Sequence, residues 1–289
     1  MVSVITVNYM QAGVTCALLD SIRKVNQYRD IEVIVVDNGA QSDETALFKQ
    51  HYPEAMVLVS PKNLGFAGGN NLGIRQAKGD FLFLVNNDTV WTPGLLESLL
   101  ARFVQDLQVG VVSPKIRYFS DPKRIQYAGF TAINPLTGRN QAIGKNELDE
   151  GQYDQAGPTA YAHGAAMMVS RQALLSAGSM SEDFFLYYEE LDWCERIRKA
   201  GFEIWYEPAG LILHKESASV GKQSPLKVFY QTRNRLLFMY KNQTTLKYFV
   251  FLAFFFIITV PVHSVRYLLS NQIELLFAFW RGFLTALKS

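Results

Sequence analysis

Three carboxylates lie within four positions of this chain, directly after an aromatic run. Glu189, Glu190 and Asp192 follow Phe184–Tyr188. Crowding like charges beside apolar rings raises the pKa of at least one carboxyl group, which is how a general base is tuned. The alternative is an acidic helix start, because the helix dipole favours carboxylates in a first turn. Taken alone, the segment favours the helix start, so support must come from elsewhere in the chain.

A second set of chemically capable residues follows apolar segments. Asn86-Asn-Asp88 ends one such segment and His214 ends another. A carboxylate there can hold a divalent cation that bridges phosphates, and an imidazole beside it favours Mn²⁺ over Mg²⁺. The alternatives are an Asx turn at Asp88 and a packed or exposed histidine at His214. If the two residues lie close together, they predict a Mn²⁺ or Mg²⁺ site.

Two further segments suit a nucleotide. Asp37 begins Asp-Asn-Gly, a strong turn sequence, and its carboxylate could also accept a hydrogen bond from the N3–H of uracil or thymine. The glycine-rich run 63–71 lacks the dinucleotide fingerprint and the Walker lysine. Small residues where a helix begins let backbone N–H groups approach a diphosphate. As an isolated signal, such a run more often serves structural ends.

An alternation of strands and helices must position these residues. Apolar, β-branched segments predict strands at Val2–Asn8, Ile31–Asp37, Met56–Ser60 and Asp80–Asn86. Predicted helices at about 14–28, at 45–51 and up to about 78 connect them, with the glycine-rich run as a loop before the third. This pattern indicates right-handed βαβ units and a parallel sheet covered on both faces. Because ligands bind beyond the carboxyl ends of such strands, the polar residues there predict a cleft.

The second half of the chain is less regular. From Ser113 to about Pro158 the pattern suggests long loops or short irregular strands. Regular segments follow, and short strands are predicted at Phe202–Tyr206 and Leu211–His214. Helices are predicted at Arg171–Ala177, Glu189–Ala200 and Lys227–Lys241.

The C-terminal region changes composition. Tyr248–Val265 carries no Lys, Arg, Asp or Glu, and its length is at the lower edge of the about 18 to 20 residues that span a bilayer. Tyr267–Leu287 has apolar residues at helical spacing. The alternative is a soluble helical hairpin, but the phenylalanine density favours membrane contact.

The bulk composition narrows the classes of protein to which this chain can belong. The 289 residues allow one large α/β domain plus an appendage, and a net charge of +2 does not suggest a nucleic-acid binder. Cys16 and Cys194 have neither metal nor disulfide spacing, so we expect reduced thiols in a cytosolic domain without a signal peptide.

Taken together, these motifs resemble family 2 of the inverting glycosyltransferases. The motifs are Val-Ile-Thr-Val-Asn-Tyr, Val-Ile-Val-Val-Asp-Asn-Gly, Asn-Leu-Gly-Phe-Ala-Gly-Gly-Asn-Asn, Asn-Asn-Asp and Tyr-Tyr-Glu-Glu-Leu-Asp-Trp-Cys-Glu-Arg. The nearest branch is the rhamnosyltransferase-like one of bacterial cell-surface glycan assembly. The resemblance covers Val2 to Lys241 and implies a GT-A fold, an α/β fold with a mostly parallel sheet flanked by helices.

The resemblance also implies residue roles. Asp37 matches the base-binding aspartate, Asp88 the last aspartate of the metal-binding Asp-x-Asp motif, Glu190 the catalytic base, and His214 a metal-contacting histidine of some relatives. Asn86 stands where many relatives have the first aspartate of the metal motif. Glu190 stands where aspartate is usual, so Glu189 or Asp192 remains open as the base.

The strand ends and the resemblance together give the expected sites. The donor site comprises Val7, Asn8, Tyr9, Asp37, Asn38, Asn63, Gly65, Phe66, Asn70, Asn86 and Asn87. The acceptor site comprises His163, Gly164 and Arg233, and the metal ligands are Asp88 and His214. The expected donor is a dTDP- or UDP-linked sugar, and the expected acceptor a lipid-linked or polysaccharide glycan.

The expected organisation is a catalytic domain at 1–215, a linking helix at 216–245 and an apolar, membrane-associated region at 246–289. This arrangement suits the cytoplasmic face of the bacterial inner membrane. The basic residues Lys222, Lys227, Arg233 and Arg235 could meet a lipid diphosphate or anionic headgroups, or could be ordinary helix-surface charge. Two rivals are a non-catalytic membrane-associated scaffold that kept the nucleotide-binding fold and, disfavoured by its missing signature, a nucleotidyltransferase.

Overall fold

A computed structural model describes residues 1–215 and 224–287, which form two compact units. We call the first the sheet unit: Met1–Thr131, Ala142–Phe185 and the described part of Glu189–Ala218. We call the second the helical unit: Ala132–Gln141, Leu186–Tyr188 and the described part of Ser219–Ser289.

The sheet unit has ten described strands and six described α-helices. The strands are β1 Val2–Asn8, β2 Ile31–Asn38, β3 Met56–Ser60, β4 Phe81–Val85, β5 Thr89–Trp91, β6 Val109–Tyr118, β7 Ile125–Tyr127, β8 Gly157–Pro158, β9 Ala166–Ser170 and β10 Glu203–His214. The helices are α1 Ala12–Val25, α2 Thr45–His51, α3 Gly65–Gln76, α4 Leu95–Gln105, α5 Arg171–Ala177 and α6 Glu189–Lys199.

The sheet is mixed rather than wholly parallel. Its order is β3-β2-β1-β4-β9-β6-β10-β5, and the first four strands are parallel, as the alternation predicts. β9 then runs antiparallel between β4 and β6, and β5 antiparallel to β10. The carboxyl ends of β1, β2 and β4 therefore meet at one edge.

Helices cover both faces of the parallel half. Val4 and Val35 belong to one buried cluster with Leu18 and Leu19 of α1. On the opposite face α3 lies very close to β1, because a Cβ at Gly73 would be 2.5 Å from Ile5 Cγ2. Interleaved apolar residues of alternating orientation thus hold the strands between two helical layers.

Three predictions about elements are wrong in detail. The glycine-rich run is mostly helix, because α3 begins at Gly65. Part of the predicted loop region is the ten-residue strand β6, and the two short strands predicted near 202–214 are one strand, β10. Prolines account for both strand errors: Pro114 interrupts the β6 sequence pattern, and Pro208 interrupts that of β10, which is irregular between Glu207 and Leu211.

The helical unit is built from α7 Pro225–Asn242, α8 Thr245–Phe254, a π-helical turn Phe255–Thr259, α9 Val260–Leu269 and α10 Ile273–Ala286. Thr245–Leu269 forms one apolar helix of 25 residues, sufficient in length and composition to cross a membrane. The helical spacing predicted within Tyr267–Leu287 is confirmed by α10. Lys222, with the rest of 216–223, lies outside the described residues, and the domain boundaries at 215 and 245 stay predictions.

Candidate active site

A chain of hydrogen bonds links three strand ends of the sheet unit. Asn8 and Asp37 are register partners on β1 and β2, and Asn8 Nδ2 donates to Asp37 Oδ1 at 2.8 Å. The Thr15 hydroxyl donates to Asn8 Oδ1 at 2.8 Å, and Asn87 Nδ2 donates to the Thr15 hydroxyl at 3.0 Å. The predicted convergence of these strand ends is therefore present. Sequence reasoning missed Thr15, whose only signal is a hydroxyl on the buried face of α1.

One carboxylate oxygen of Asp37 forms no hydrogen bond among the described residues. Its side chain is 2% exposed, and Oδ2 is buried without a hydrogen-bond partner among the described residues. Burial raises the pKa of Asp37, against the opposing effect of the Asn8 hydrogen bond. A buried acceptor of this kind is costly unless an N–H group reaches it. The geometry suits the imide N3–H of a pyrimidine, and the base-binding role stays a prediction.

Two asparagines shape the loop that enters α3. Asn38 Nδ2 donates to the carbonyl of Gly65 at 3.1 Å, and Asn38 Oδ1 accepts the Leu64 N–H at 2.8 Å. Asn63 Oδ1 accepts the Gly65 N–H at 2.9 Å. Gly65 has φ of +72°, and a Cβ there would lie 2.3 Å from the carbonyl oxygen of Phe185. Only glycine fits this close approach.

The remaining residues predicted for the donor site have the following surroundings. The Phe66 N–H donates to the Phe185 carbonyl at 2.7 Å, and Asn70 Nδ2 donates to the Phe66 carbonyl at 2.9 Å. Val7 is half-buried beside α3, and Tyr9 is exposed just beyond β1. The Asn86 N–H donates to the carbonyl of Ala165. Contact of these residues with a donor stays a prediction.

Asp88 and His214 are brought together by the pairing of β5 with β10. Their Oδ1 and Nε2 atoms are 3.0 Å apart, and His214 Nδ1 is 2.9 Å from Gln126 Oε1. An amide oxygen only accepts, so Nδ1 carries the proton that points to Gln126, and Nε2 faces the Asp88 carboxylate. An imidazole nitrogen facing a carboxylate at this distance can share a proton with it or ligate a cation together with it. Sequence reasoning missed Gln126.

The pair also fits a divalent ion by its spacing. Neighbouring ligands of an octahedral ion with bonds of about 2.1 Å lie about 3.0 Å apart, which is the Asp88–His214 separation. In the part of the chain that the structure describes, no group of three His, Cys, Asp or Glu side chains could hold a metal. The other ligands would have to be water and phosphate oxygens, as is usual for Mg²⁺ bound with a nucleotide.

Glu190 lies in the first turn of α6, so the predicted acidic helix start is present, and its role as the general base stays a prediction. Burial raises the pKa of Glu190 to about 7, and the backbone N–H groups of Glu190 and Leu191 at the helix start oppose that rise. A Cβ on Gly164 would lie 3.7 Å from Glu190 Cδ and 3.8 Å from Phe66 Cζ. The structure therefore places the carboxyl group beside Gly164 and an aromatic ring.

The two neighbouring carboxylates have different surroundings. Asp192 is buried and accepts from Arg196 Nε at 2.9 Å, the ion pair expected from i, i+4 spacing. Arg196 also donates to the carbonyl of Ala177 at 2.7 Å, which fixes that pair on the protein. Glu189 is buried. The pKa of Glu190 is raised into the range of a general base.

The segment preceding these carboxylates has an unusual backbone. Phe185, Tyr187 and Tyr188 have φ of +62°, +69° and +75°, and each such residue costs on the order of 1–3 kcal/mol. Within the helical unit, Asn234 Nδ2 donates to the carbonyls of Leu186 and Tyr187 at 2.8 Å. Asn234 is fully buried on α7, and sequence reasoning missed it.

The predicted acceptor residues are divided between the units. In the sheet unit, His163 Nδ1 accepts the Ala165 N–H at 3.0 Å, and the ring stacks on Phe130. Burial lowers the pKa of His163 to about 3, so its imidazole is neutral at physiological pH. In the helical unit, Arg233 donates to Asn234 Oδ1 at 2.9 Å. Acceptor binding by these residues stays a prediction.

Solved glycosyltransferases share the fold. A mannosyltransferase from Pyrobaculum calidifontis, solved with GDP-Man and Mn²⁺, matches with a TM-score of 0.59 and 18% identity over 100% of this chain and 75% of that chain. GalNAc-T7 with UDP, GalNAc and Mn²⁺ matches with a TM-score of 0.61 and 13% identity over 81% of this chain and 48% of that chain. The fold is the GT-A fold of nucleotide-sugar transferases.

Sequence relatives identify the family. The chain is 26% identical over 217 residues to the N-acetylglucosaminyl-diphospho-decaprenol L-rhamnosyltransferase of Mycobacterium tuberculosis, covering 67% of this chain and 69% of the relative. It is 26% identical over 243 residues to the low-salt glycan biosynthesis hexosyltransferase of Haloferax volcanii, covering 81% and 74%. The model of Glycosyl transferase family 2 matches residues 3–175. The chain belongs to this family and is a glycosyltransferase, which confirms the resemblance and disfavours the scaffold.

Proposed function

We propose that this enzyme transfers a sugar with inversion from a dTDP- or UDP-linked donor to a hydroxyl group of a lipid-linked or polysaccharide glycan. The observation that carries the proposal is the Glu190 carboxyl group, whose pKa of about 7 suits proton removal near neutral pH. It belongs to the same sheet unit as Asp37 and the Asp88–His214 pair.

The reaction follows from these groups. A sugar hydroxyl is a weak nucleophile, so Glu190 takes its proton while the oxygen attacks the anomeric carbon. The bond from that carbon to the nucleoside diphosphate breaks on the opposite face, which inverts the centre without a covalent enzyme intermediate. Asp88 and His214 would hold Mn²⁺ or Mg²⁺, which supplies charge neutralisation for the leaving diphosphate. Asp37 Oδ2 would orient the donor by accepting the base N3–H.

The names of two relatives indicate the class of sugar. We propose a hexose or a 6-deoxyhexose such as rhamnose, because the Mycobacterium tuberculosis relative carries rhamnosyltransferase in its name and the Haloferax volcanii relative hexosyltransferase.

A membrane location fits the acceptor. The Mycobacterium tuberculosis relative is named for a decaprenol-linked substrate, and Thr245–Leu269 of this chain is long and apolar enough to cross a bilayer. We propose attachment to the cytoplasmic face of the bacterial inner membrane through the helical unit, in a peripheral, monotopic or spanning manner, in cell-wall or O-antigen polysaccharide assembly.

A donor panel tests the proposal. We expect Mn²⁺-dependent release of nucleotide from one of dTDP-rhamnose, UDP-glucose, UDP-galactose and UDP-N-acetylglucosamine. Asp88→Ala should abolish that release and weaken Mn²⁺ binding seen by electron paramagnetic resonance, because it removes the carboxylate of the pair. Asp106→Ala, at the end of α4, is the matched control and should change neither. Wild-type turnover by Asp88→Ala in chelator-treated buffer would contradict the metal assignment.

A further inference from the structure

The helical unit has more basic than acidic residues. In its described part the only acidic residue is Glu274. An excess of positive charge favours an anionic ligand. The basic residues of the same part are Arg139, Lys227, Arg233, Arg235, Lys241, Lys247, Arg266 and Arg281.

Arg235 is the most deeply buried of these. It is 5% exposed, and its guanidinium lies over the rings of Phe251 and Phe255 at 5.7 and 5.0 Å. Its Nε is buried without a hydrogen-bond partner in the described part of the chain, and no carboxylate there pairs with it. Burial and the nearby Arg139 lower the pKa of Arg235 to about 10. A buried charge without a partner is strongly destabilising, so an anion at this position would remove a cost.

His263 presents a second unused donor. Arg139 Nη2 is 3.2 Å from His263 Nε2, and because arginine only donates, Nε2 accepts and Nδ1 carries the proton. That Nδ1 is buried without a partner in the described residues. The His263 ring stacks on Phe279 at 5.2 Å, and Phe279 stacks on Phe255, the ring beneath Arg235. The two unused N–H donors therefore flank the same pair of aromatic rings.

Apolar surface lies on the helix that carries His263. His263 belongs to the apolar helix, in which Phe256, Ile257 and Val262 are 50%, 70% and 57% exposed. An open groove along that helix is lined by Pro261, Val262, Val265, Arg266, Leu269 and Ser270. A cation at the edge of an apolar groove suits a ligand with an anionic head and a hydrocarbon chain.

We propose that Arg139, Arg235 and His263 bind the diphosphate of an isoprenoid lipid, with the chain along the groove edged by Arg266. The inference rests on the proposed function, since it assigns the diphosphate of its lipid-linked acceptor to a defined set of side chains. A diphosphate offers many acceptor oxygens, and guanidinium groups match phosphate geometry.

Binding of farnesyl diphosphate to the full chain in detergent micelles tests this assignment by calorimetry. Farnesol and inorganic pyrophosphate serve as comparison probes. Arg235→Met and Arg139→Met should each weaken binding of farnesyl diphosphate by about tenfold or more, the usual loss for a hydrogen bond to a charged group. The matched control is Arg281→Met, an exposed arginine that lies over Phe229 in the same unit, and it should bind normally.

Thermal unfolding separates binding from a structural role. Without lipid, Arg235→Met should unfold at the same or a higher temperature than the wild type, because an apolar side chain replaces a buried unpaired charge. A lower melting temperature with unchanged affinity would overturn the assignment. Arg139 is exposed, so Arg139→Met should fold even if Arg235→Met does not, and normal affinity of Arg139→Met would also overturn it.

The comparison probes identify the ligand. Equal affinity for farnesol would mean that only the chain binds, and equal affinity for pyrophosphate would mean a site for free anions; either result overturns the lipid diphosphate site. Nucleotide release from the donor, measured without lipid, should be unchanged in both variants. If the wild type releases no nucleotide but still binds farnesyl diphosphate, the proposed function fails while the lipid site stands.

Discussion

Packing gives three neighbouring carboxylates three different environments. Asp192 is tied to Arg196, Glu189 is buried, and Glu190 lies beside Gly164 and the Phe66 ring with a raised pKa. The cluster marks the segment as chemically unusual from sequence alone. Which member suits a general base depends on residues about 25 and 125 positions earlier, which only the fold brings together.

Asp37 permits a sharp test of donor recognition. Asp37→Asn keeps an oxygen for Asn8 Nδ2 but replaces the free acceptor Oδ2 with a donor. The donor KM should rise by about tenfold or more, the cost of a lost hydrogen bond to a charged group, with little change in kcat because this contact is made in ground and transition states alike. Steady-state kinetics of nucleotide release measure both constants, with Asp43→Asn as the exposed control. A large fall in kcat at unchanged KM would contradict the base-binding role.

The residues that sequence reasoning found and missed differ in what makes them important. Asp37 and Asp88 directly follow predicted strands, so their position in a polar cleft follows from the alternation of elements. Thr15, Gln126 and Asn234 form hydrogen bonds with residues distant in sequence, and nothing in their local sequence distinguishes them.

At the scale of elements, the glycines of α3 set its distance from the sheet. A Cβ at Gly73 would be 2.5 Å from Ile5 Cγ2, and one at Gly69 would be 2.9 Å from Val7 Cγ1. The sequence suggested backbone approach to a diphosphate, whereas these glycines permit close packing of helix on strand. Small residues at a helix start are compatible with either a diphosphate site or close helix–strand packing until the facing strand is known.

This packing predicts opposite effects for two glycine-to-alanine changes. Gly73→Ala should destabilise the protein by about 1–3 kcal/mol, because its methyl group overlaps Ile5 in a packed core. Gly13→Ala, in α1 with no atom within 4 Å of the added methyl, should stabilise it by about 0.5–1 kcal/mol through helix propensity. Urea denaturation compares them. A neutral or stabilising Gly73→Ala would show that α3 does not lie so close to β1.

The sheet combines strand pairings between neighbours in sequence with pairings between segments far apart in sequence. The parallel strands β1 to β4 follow one another through short helices, and periodicity predicts them with bounds close to those observed. The insertion of β9 between β4 and β6 pairs segments far apart in sequence. Such pairing has no sequence period, so the mixed half of the sheet was not predictable from the pattern.

At the scale of the whole molecule, exposed apolar residues are concentrated in the helical unit. Phe249 and Ile257 on the long apolar helix are 62% and 70% exposed. The sheet unit has exposed apolar residues too, including Val104 and Leu107, but these flank the end of one amphipathic helix. A continuous apolar helix surface favours membrane contact over the soluble hairpin.

Two double substitutions test whether the exposed apolar residues of the helical unit contact a membrane. Phe249→Ser with Ile257→Ser should reduce co-sedimentation with vesicles of phosphatidylethanolamine and phosphatidylglycerol, with little loss of stability, because both side chains are exposed. The matched control, Val104→Ser with Leu107→Ser, removes similar exposed apolar residues from the sheet unit and should bind vesicles normally. If both double variants co-sediment with the vesicles to the same extent, the result would favour the soluble hairpin.

The central claim is that Glu190 removes the acceptor proton, and the rate of sugar transfer by Glu190→Gln tests it most directly. Glutamine keeps the shape but cannot take the proton, so transfer should fall by about 10² to 10⁴ while the donor KM changes little. The wild-type rate should rise with pH up to about 7, since the base must be ionised, and this dependence should disappear in the variant. Glu189→Gln should cost less, and Asp192→Asn should mainly affect stability. Near-normal transfer by Glu190→Gln, with the loss found in Glu189→Gln or Asp192→Asn, would contradict the account.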